Sequence, residues 1–291
     1  MKKIAPPLNK KDTKKFFKET NKTIRAIGKK AFINLIKCHW NQIKKSYREI
    51  VSLIKNKRIN NYPINFIQNE KRIAVYTVVY GDYDAIKPIK TKNRLCDYFI
   101  FTDQDVDPIT GWTKIEFAFP KDCNTNVLKN RYLKMHPHFL FPNHEYSIYL
   151  DGVMQIELDI YRLMSRMGDK FLGLFDHYTG RKCLYDEAEV VKRVGKAPAC
   201  IVDRQIERYK EEGFPKDYGL TECGIIIREH NNPICIKLMN SWWDEFVNES
   251  QRDQLSFMYC IWKNGLSKKD IAYLGATYWI EPILSSEAHR K

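Results

Sequence analysis

The chain has 291 residues, a net charge of +14 and 44% hydrophobic content, enough for a full globular core and against general disorder. No stretch approaches the ~18 uninterrupted apolar residues of a membrane span, and the opening MKKIAPPLNKKDTKKFFKETNK lacks the apolar segment of a secretory signal. The charge is uneven: residues 1–72 hold 20 Lys and Arg against 4 acids, and the remainder, with 29 against 31, is nearly neutral.

Taken in chain order, residues 1–71 read as a basic helical extension and linker. Between 26 and 57 the spacing is helical, with Ile36, Trp40, Ile43, Tyr47, Ile50 and Ile54 on one face. Lys37, Lys44, Lys45, Arg48 and Lys55 flank that stripe. It suits a helix docked on its own chain, a basic helix on an anionic membrane surface, or a short self-associating coil that would make a homo-oligomer. Residues 56–72, with Pro63 and several Asn, read as the linker.

Residues 72–291 alternate strands and helices. Strands are expected at 73–79, 97–103, 112–117, 146–151, 171–177 and 222–230. Helices are expected at 126–135, stopping near Pro137, and at 159–167, 185–195, 201–214, 232–249 and 252–264. Such alternation predicts an α/β domain with a largely parallel sheet flanked by helices. In such sheets ligands bind beyond the carboxyl ends of the strands. The residues expected there are Tyr80, Gly81 and Asp82, then Asp103, then Asp151, then Asp176 and His177. One strand-end acid is usually a turn residue; four together point to a site.

Other stretches add chemistry. Lys129, Arg131 and Lys134 lie on the helix before the Asp151 strand and suit phosphate oxygens. Arg181, Tyr185 and Glu187 follow His177 in FDHYTGRKCLYDEAE. Glu222 opens a strand as a candidate base or acceptor contact. Asp253 and Gln254 start an apolar helix with Ser250 as its expected cap, where an acid also suits the helix dipole. His289 stands near the end with Arg290 and Lys291. Eight scattered cysteines without a C-x-x-C pair point to reduced thiols and the cytoplasm, and against a zinc site. No phosphate-binding or dinucleotide-binding glycine motif is present.

The stretches YLDGVMQI, RKCLYDEAE, QIERYKEEGFPKDYGLTECGIIIREHN, WWDEF and SQRDQLSF resemble the glycosyltransferase-like family once called domain of unknown function 616. That family includes plant pectin- and mucilage-related proteins and bacterial polysaccharide-cluster proteins. The resemblance spans about 72–284 and implies a GT-A fold and a nucleotide-diphosphate-sugar donor. DQLSF is also similar to the Asp-Gln of retaining galactosyltransferases and glycogenin-like enzymes. This implies Asp253 and Gln254 beneath the donor sugar, with retention of anomeric configuration. Those enzymes carry a complete Asp-x-Asp metal motif, and here Val153 replaces its second acid. Two routes to neutralise the diphosphate therefore stay open: Arg131, Lys134 and Arg181, or Mn2+ or Mg2+ held by Asp151 with a histidine such as His177 or His289. Gly152 would admit a ligand close to the backbone, and Gln155 would face the same pocket.

The expected function is that of a cytoplasmic glycosyltransferase, peripheral at the cytoplasmic membrane face, acting on a polysaccharide or glycolipid. The alternatives are a non-catalytic sugar-binding module and, less favoured, a nucleic-acid-binding protein. The charge sits in one arm with no aromatic-interleaved motif, so no nucleic-acid partner is expected.

Overall fold

The computed structural model describes residues 71–286. The amphipathic stripe at 26–57, nearly all of the 56–72 linker and His289 lie outside the described residues.

Among the described residues nine strands are formed: β1 Ile73–Val79, β2 Cys96–Thr102, β3 Thr113–Ile115, β4 Tyr146–Asp151, β5 Met154–Ile156, β6 Leu172–Asp176, β7 Thr221–Arg228, β8 Ala272–Gly275 and β9 Leu284–Ser286. Among the described residues five α-helices of ten or more residues accompany them: α1 Asn126–Met135, α2 Leu184–Arg193, α3 Ala199–Glu211, α4 Pro233–Asn248 and α5 Asp253–Lys263. Seven strands make one sheet in the order β3-β2-β1-β4-β7-β6-β8, and β5 pairs with β9 in a second. All neighbours in the large sheet are parallel except β7, which runs antiparallel to both β4 and β6. The domain is thus α/β and GT-A-like, a mostly parallel sheet flanked by α-helices on one face and by a 3-10 helix and the small sheet on the other.

The layers follow from strand alternation. Ala74, Tyr76 and Val78 of β1 face the helices and join a core with Trp242 of α4 and Phe257 of α5. Ile73 and Val75 face the other way, toward Leu163, Met164 and Leu284. Buried on both sides, β1 reads as a continuous apolar run, as a central strand of a covered sheet must.

Some expectations change. The helix expected at 159–167 is a seven-residue 3-10 helix, Ile160–Arg166, started by Asp159 accepting from the Tyr161 amide. The strand expected at 112–117 shrinks to three residues. Strands β5, β8 and β9 have three or four residues each and gave no periodic signal. Helix α1 stops at Met135, and Pro137 opens a separate single turn, Pro137–Leu140. The seven described cysteines are free, and six of them are buried.

One buried contact sets the position of α1. Arg228, fully buried on β7, donates to the Lys134 carbonyl at 2.6 Å and to the Tyr76 hydroxyl at 2.6 Å. A guanidinium at a helix carboxyl end answers the partial negative charge of its last carbonyls. The helix that carries Arg131 and Lys134 is thereby pinned to the sheet.

Candidate functional site

The carboxyl ends of β1 and β2 close on each other. Gly81, in the left-handed region at φ 68°, turns the chain after β1, and its amide donates to both Asp103 oxygens at 2.9 and 3.1 Å. Asp103 therefore serves the turn. Tyr80 packs edge-on against Phe119 beneath the Lys129 ammonium, and burial, with Asp103 nearby, pushes its hydroxyl up to about 12. Asp82 is exposed on the same turn.

The end of β4 is different. Lys134 is 0% exposed, and its ammonium donates to Asp253 Oδ2 at 2.7 Å and lies 3.6 Å from Asp151 Oδ1. Arg131 Nε sits 3.0 Å from the same Asp253 oxygen. The Tyr149 hydroxyl donates to Asp151 Oδ1 at 2.8 Å, and the Lys134 ammonium stands 4.8 Å above the Tyr149 ring. Two acids and two cations thus meet where β4 ends and α5 begins. Burial alone would raise the Asp253 carboxyl, but Arg131 and Lys134 overcome it and hold the group far below the usual carboxylate range.

The approach of Asp253 is built locally. Gln251 has a left-handed backbone, φ 52°, which costs a non-glycine residue about 1–2 kcal/mol and turns the chain into α5. The cap is Arg252 rather than Ser250, and it makes no side-chain capping bond. The buried Trp242 indole donates to the Asp253 carbonyl at 3.0 Å and to Ser256 Oγ at 3.1 Å, fixing the first turn. Gln254 reaches the Thr221 carbonyl at the start of β7, at 3.3 Å.

A second carboxylate lies on the opposite face of that strand. Glu222, 3% exposed, accepts from the Tyr178 amide at 3.0 Å, the Thr277 hydroxyl at 3.1 Å and the Tyr278 amide at 3.2 Å. The Trp279 side chain hydrogen-bonds the same group. Burial pushes the Glu222 carboxyl up to about 7 against all these donors. Gly224, two residues on, leaves room for the Tyr278 hydroxyl, which would stand 2.8 Å from any Cβ placed there. The Tyr278 hydroxyl is pushed well up by burial, with the charges of Asp151 and Glu222 adding to it.

The other expected residues are used by the chain itself. Gly152 packs against Val79 and Asp84, which would lie 2.8 and 3.0 Å from an added Cβ. Its close neighbour is therefore protein. Gln155 lies on β5 and donates to the Pro88 carbonyl at 3.0 Å, tying a loop down. Arg181 donates to Glu187 at 2.8 Å. His177 is buried, with Nδ1 2.7 Å from Thr179 Oγ1 and Nε2 3.8 Å from Glu187. Burial, with Arg181 and Lys196 nearby, pushes its imidazole down to about 4, so it is neutral at pH 7. Asp176 pairs with Lys268 at 2.7 Å.

Sequence reasoning missed Tyr149 and the Thr277–Trp279 loop. Tyr149 was within reach, because two residues before Asp151 on a strand is the same face. The loop was not, because β8 before it was unrecognised.

Among the described residues no group of three or more His, Cys, Asp or Glu is placed to hold a metal ion. Asp151 Oδ1 already faces Tyr149 and Lys134. The described residues alone therefore do not fit a divalent ion. An aromatic groove of about 240 Å3, lined by Phe99, Phe101, Phe117, Phe139 and Phe141 among others, lies at the amino end of β4 and has no acid in its walls.

Residues 124–273, just over half of the chain, match the family described as TOD1/MUCI70, glycosyltransferase-like domain. The curated relative "Probable hexosyltransferase MUCI70" of Arabidopsis thaliana is 24% identical over 212 residues, 64% of this chain and 36% of that protein. The chain thus spans about a third of the relative's length. Among solved structures, the WbbM bifunctional glycosyltransferase aligns with a TM-score of 0.43 at 8% identity, covering 71% of this chain and 39% of that one. Mouse xyloside xylosyltransferase 1 aligns with a TM-score of 0.39 at 7% identity, covering 69% and 84%. The chain belongs to the TOD1/MUCI70 glycosyltransferase-like family.

Proposed function

We propose that residues 72–291 form a glycosyltransferase domain that takes a sugar from a nucleoside-diphosphate donor and passes it to a glycan or glycolipid acceptor. The observation that carries this reading is the buried Lys134–Asp253 pair, shared with Asp151, at the ligand edge of the sheet. Replacing a buried ion pair with apolar residues is often neutral or stabilising. Its presence at this edge therefore argues for a role in function.

In this reading Asp253 and Gln254 lie beneath the donor sugar. Arg131 and Lys134 keep Asp253 ionised, so that a fixed negative charge faces the anomeric carbon as oxocarbenium character develops there, with retention of configuration. Arg252 caps α5, and its Nε is buried with no hydrogen-bond partner among the described residues. It is assigned to a diphosphate oxygen, helped by the partial positive charge of the α5 amino end. Mn2+ or Mg2+ would need a ligand beyond the described residues, such as His289 beside Asp151, and no step is assigned to it.

No described helix is long and apolar enough to cross a membrane. The +16 balance of residues 1–72 suits an anionic lipid surface or acceptor, which fits a peripheral enzyme at the cytoplasmic membrane face. The test is nucleoside-diphosphate release from UDP-, GDP-, CDP- and ADP-sugars by the full chain, with and without Mn2+. Release that falls about 10²-fold in Gln254→Ala supports the reading. Absence of both release and binding for every donor refutes it.

A further inference from the structure

The Glu222 carboxylate collects four donors, and two of them belong to aromatic residues whose rings point outward. Tyr178 is 59% exposed and Trp279 is 39% exposed. Their ring centroids are 6.4 Å apart with planes at 65°, forming an open corner. Exposed aromatics are ordinary singly, but here both are held from below by one buried group. Glu222 takes the Tyr178 amide and the amide before Trp279, and also bonds the Trp279 side chain. Thr277 caps the turn by accepting from the Trp279 amide at 3.2 Å. The corner is thus ordered before any ligand arrives, which removes much of the entropy cost of binding.

Its place is equally specific. Tyr278 packs obliquely on Trp279 at 5.2 Å, and Glu222 directly follows Thr221, whose carbonyl Gln254 reaches at 3.3 Å, so the corner and the charged cluster flank the same end of β7. Asp176, two residues before Tyr178 in sequence, is half-exposed and paired with Lys268.

We propose that Tyr178 and Trp279 form a stacking platform for a pyranose ring of the acceptor glycan. A sugar ring presents C–H groups on its faces and hydroxyls at its edge. Those C–H faces match an exposed aromatic floor. Two rings at an angle are far too small for a stable protein interface, which buries about 1,200 Å2 or more. The proposal rests on the glycosyltransferase reading and assigns the acceptor side of the same site.

The test is binding of the full chain to an immobilised array of plant and bacterial polysaccharides. Tyr178→Ala, Trp279→Ala and Trp279→Phe are compared with the unmodified protein, and melting curves report folding. The platform predicts binding to at least one glycan class, lost roughly tenfold or more in each alanine variant and largely kept in Trp279→Phe. A second readout is movement of the Trp279 indole N–H resonance on adding that glycan, which stays usable if an alanine variant is unstable. No glycan binding by the unmodified chain, or binding indifferent to both rings, overturns the platform. The nucleotide-sugar assay on the unmodified chain runs in parallel. Glycan binding through these rings with neither release nor binding of any donor would sink the transferase reading and leave the platform standing.

Discussion

Asp253 and Glu222 are buried almost equally, at 6% and 3% exposure, yet their carboxyls move in opposite directions. Burial raises both. At Asp253 two cations overturn it; at Glu222 the partners are amides, a hydroxyl and an indole, which reduce the shift without reversing it. Partners, more than depth, set the charge of a buried acid. The consequence is a division of labour across β7: a permanently ionised aspartate on the helix side, and on the other face a glutamate that can gain or lose a proton near neutral pH.

The largest expected effect breaks the Asp253 side. Asp253→Asn leaves Lys134 and Arg131 without their shared carboxylate and should cost about 3–5 kcal/mol in denaturant unfolding, whereas Lys134→Met leaves Asp253 with Arg131 and should cost less. The double variant Asp253→Leu/Lys134→Met should recover part of that stability, since both charges of the pair go together while Arg131 still loses its carboxylate. Single variants costing under ~1 kcal/mol would show that the pair is not desolvated.

The next effect isolates Glu222. Its folded carboxyl is raised from 4.5 to about 7, so its contribution is fully present below 4.5 and is lost as pH rises toward 7. The stability of the unmodified protein minus that of Glu222→Gln should therefore fall across this window, by at most about 3 kcal/mol at ~1.4 kcal/mol per unit. The difference is needed because His138, His177 and His230, each held down near 4, give slopes of the opposite sign in both proteins. A flat difference curve would contradict the contrast between the two acids.

Two smaller changes sharpen it. Gly224→Ala forces a Cβ against the Tyr278 hydroxyl and Met154 Cε, each 2.8 Å away, and should cost about 1–2 kcal/mol. It should also shift the Trp279 indole resonance. Asp103→Ala removes the acceptor for the Gly81 amide and should cost about 1 kcal/mol, with no change in the pH profile around Glu222. A changed profile would mean that the β1 turn and the Glu222 loops act as one unit.

Much of this was legible in the sequence. The apolar runs of β1 and β4, the helical spacing of α1 and α5 and the strand-end aspartates all stand where alternation and periodicity put them. Arg131, Lys134, Asp151 and Asp253 come together, although residue 134 is 119 positions from residue 253 and no local pattern links them. The sequence was silent where elements are short. Strands β5, β8 and β9 hold too few residues to show a period, and with them went the Thr277–Trp279 loop. It also offered no means to tell a free cation from a spent one: Arg181 and Glu187 looked like ligands until each became the other's partner.

The central claim is that the Asp253–Lys134 pair serves the donor rather than the fold. It is tested most directly by melting curves of the unmodified chain and of Asp253→Leu/Lys134→Met against UDP-, GDP-, CDP- and ADP-sugars. At 100-fold excess over Kd, one donor should raise the melting temperature of the unmodified chain by roughly 5–10 °C. It should leave the double variant unmoved. An equal rise in both proteins, or no rise for any donor, would contradict the claim.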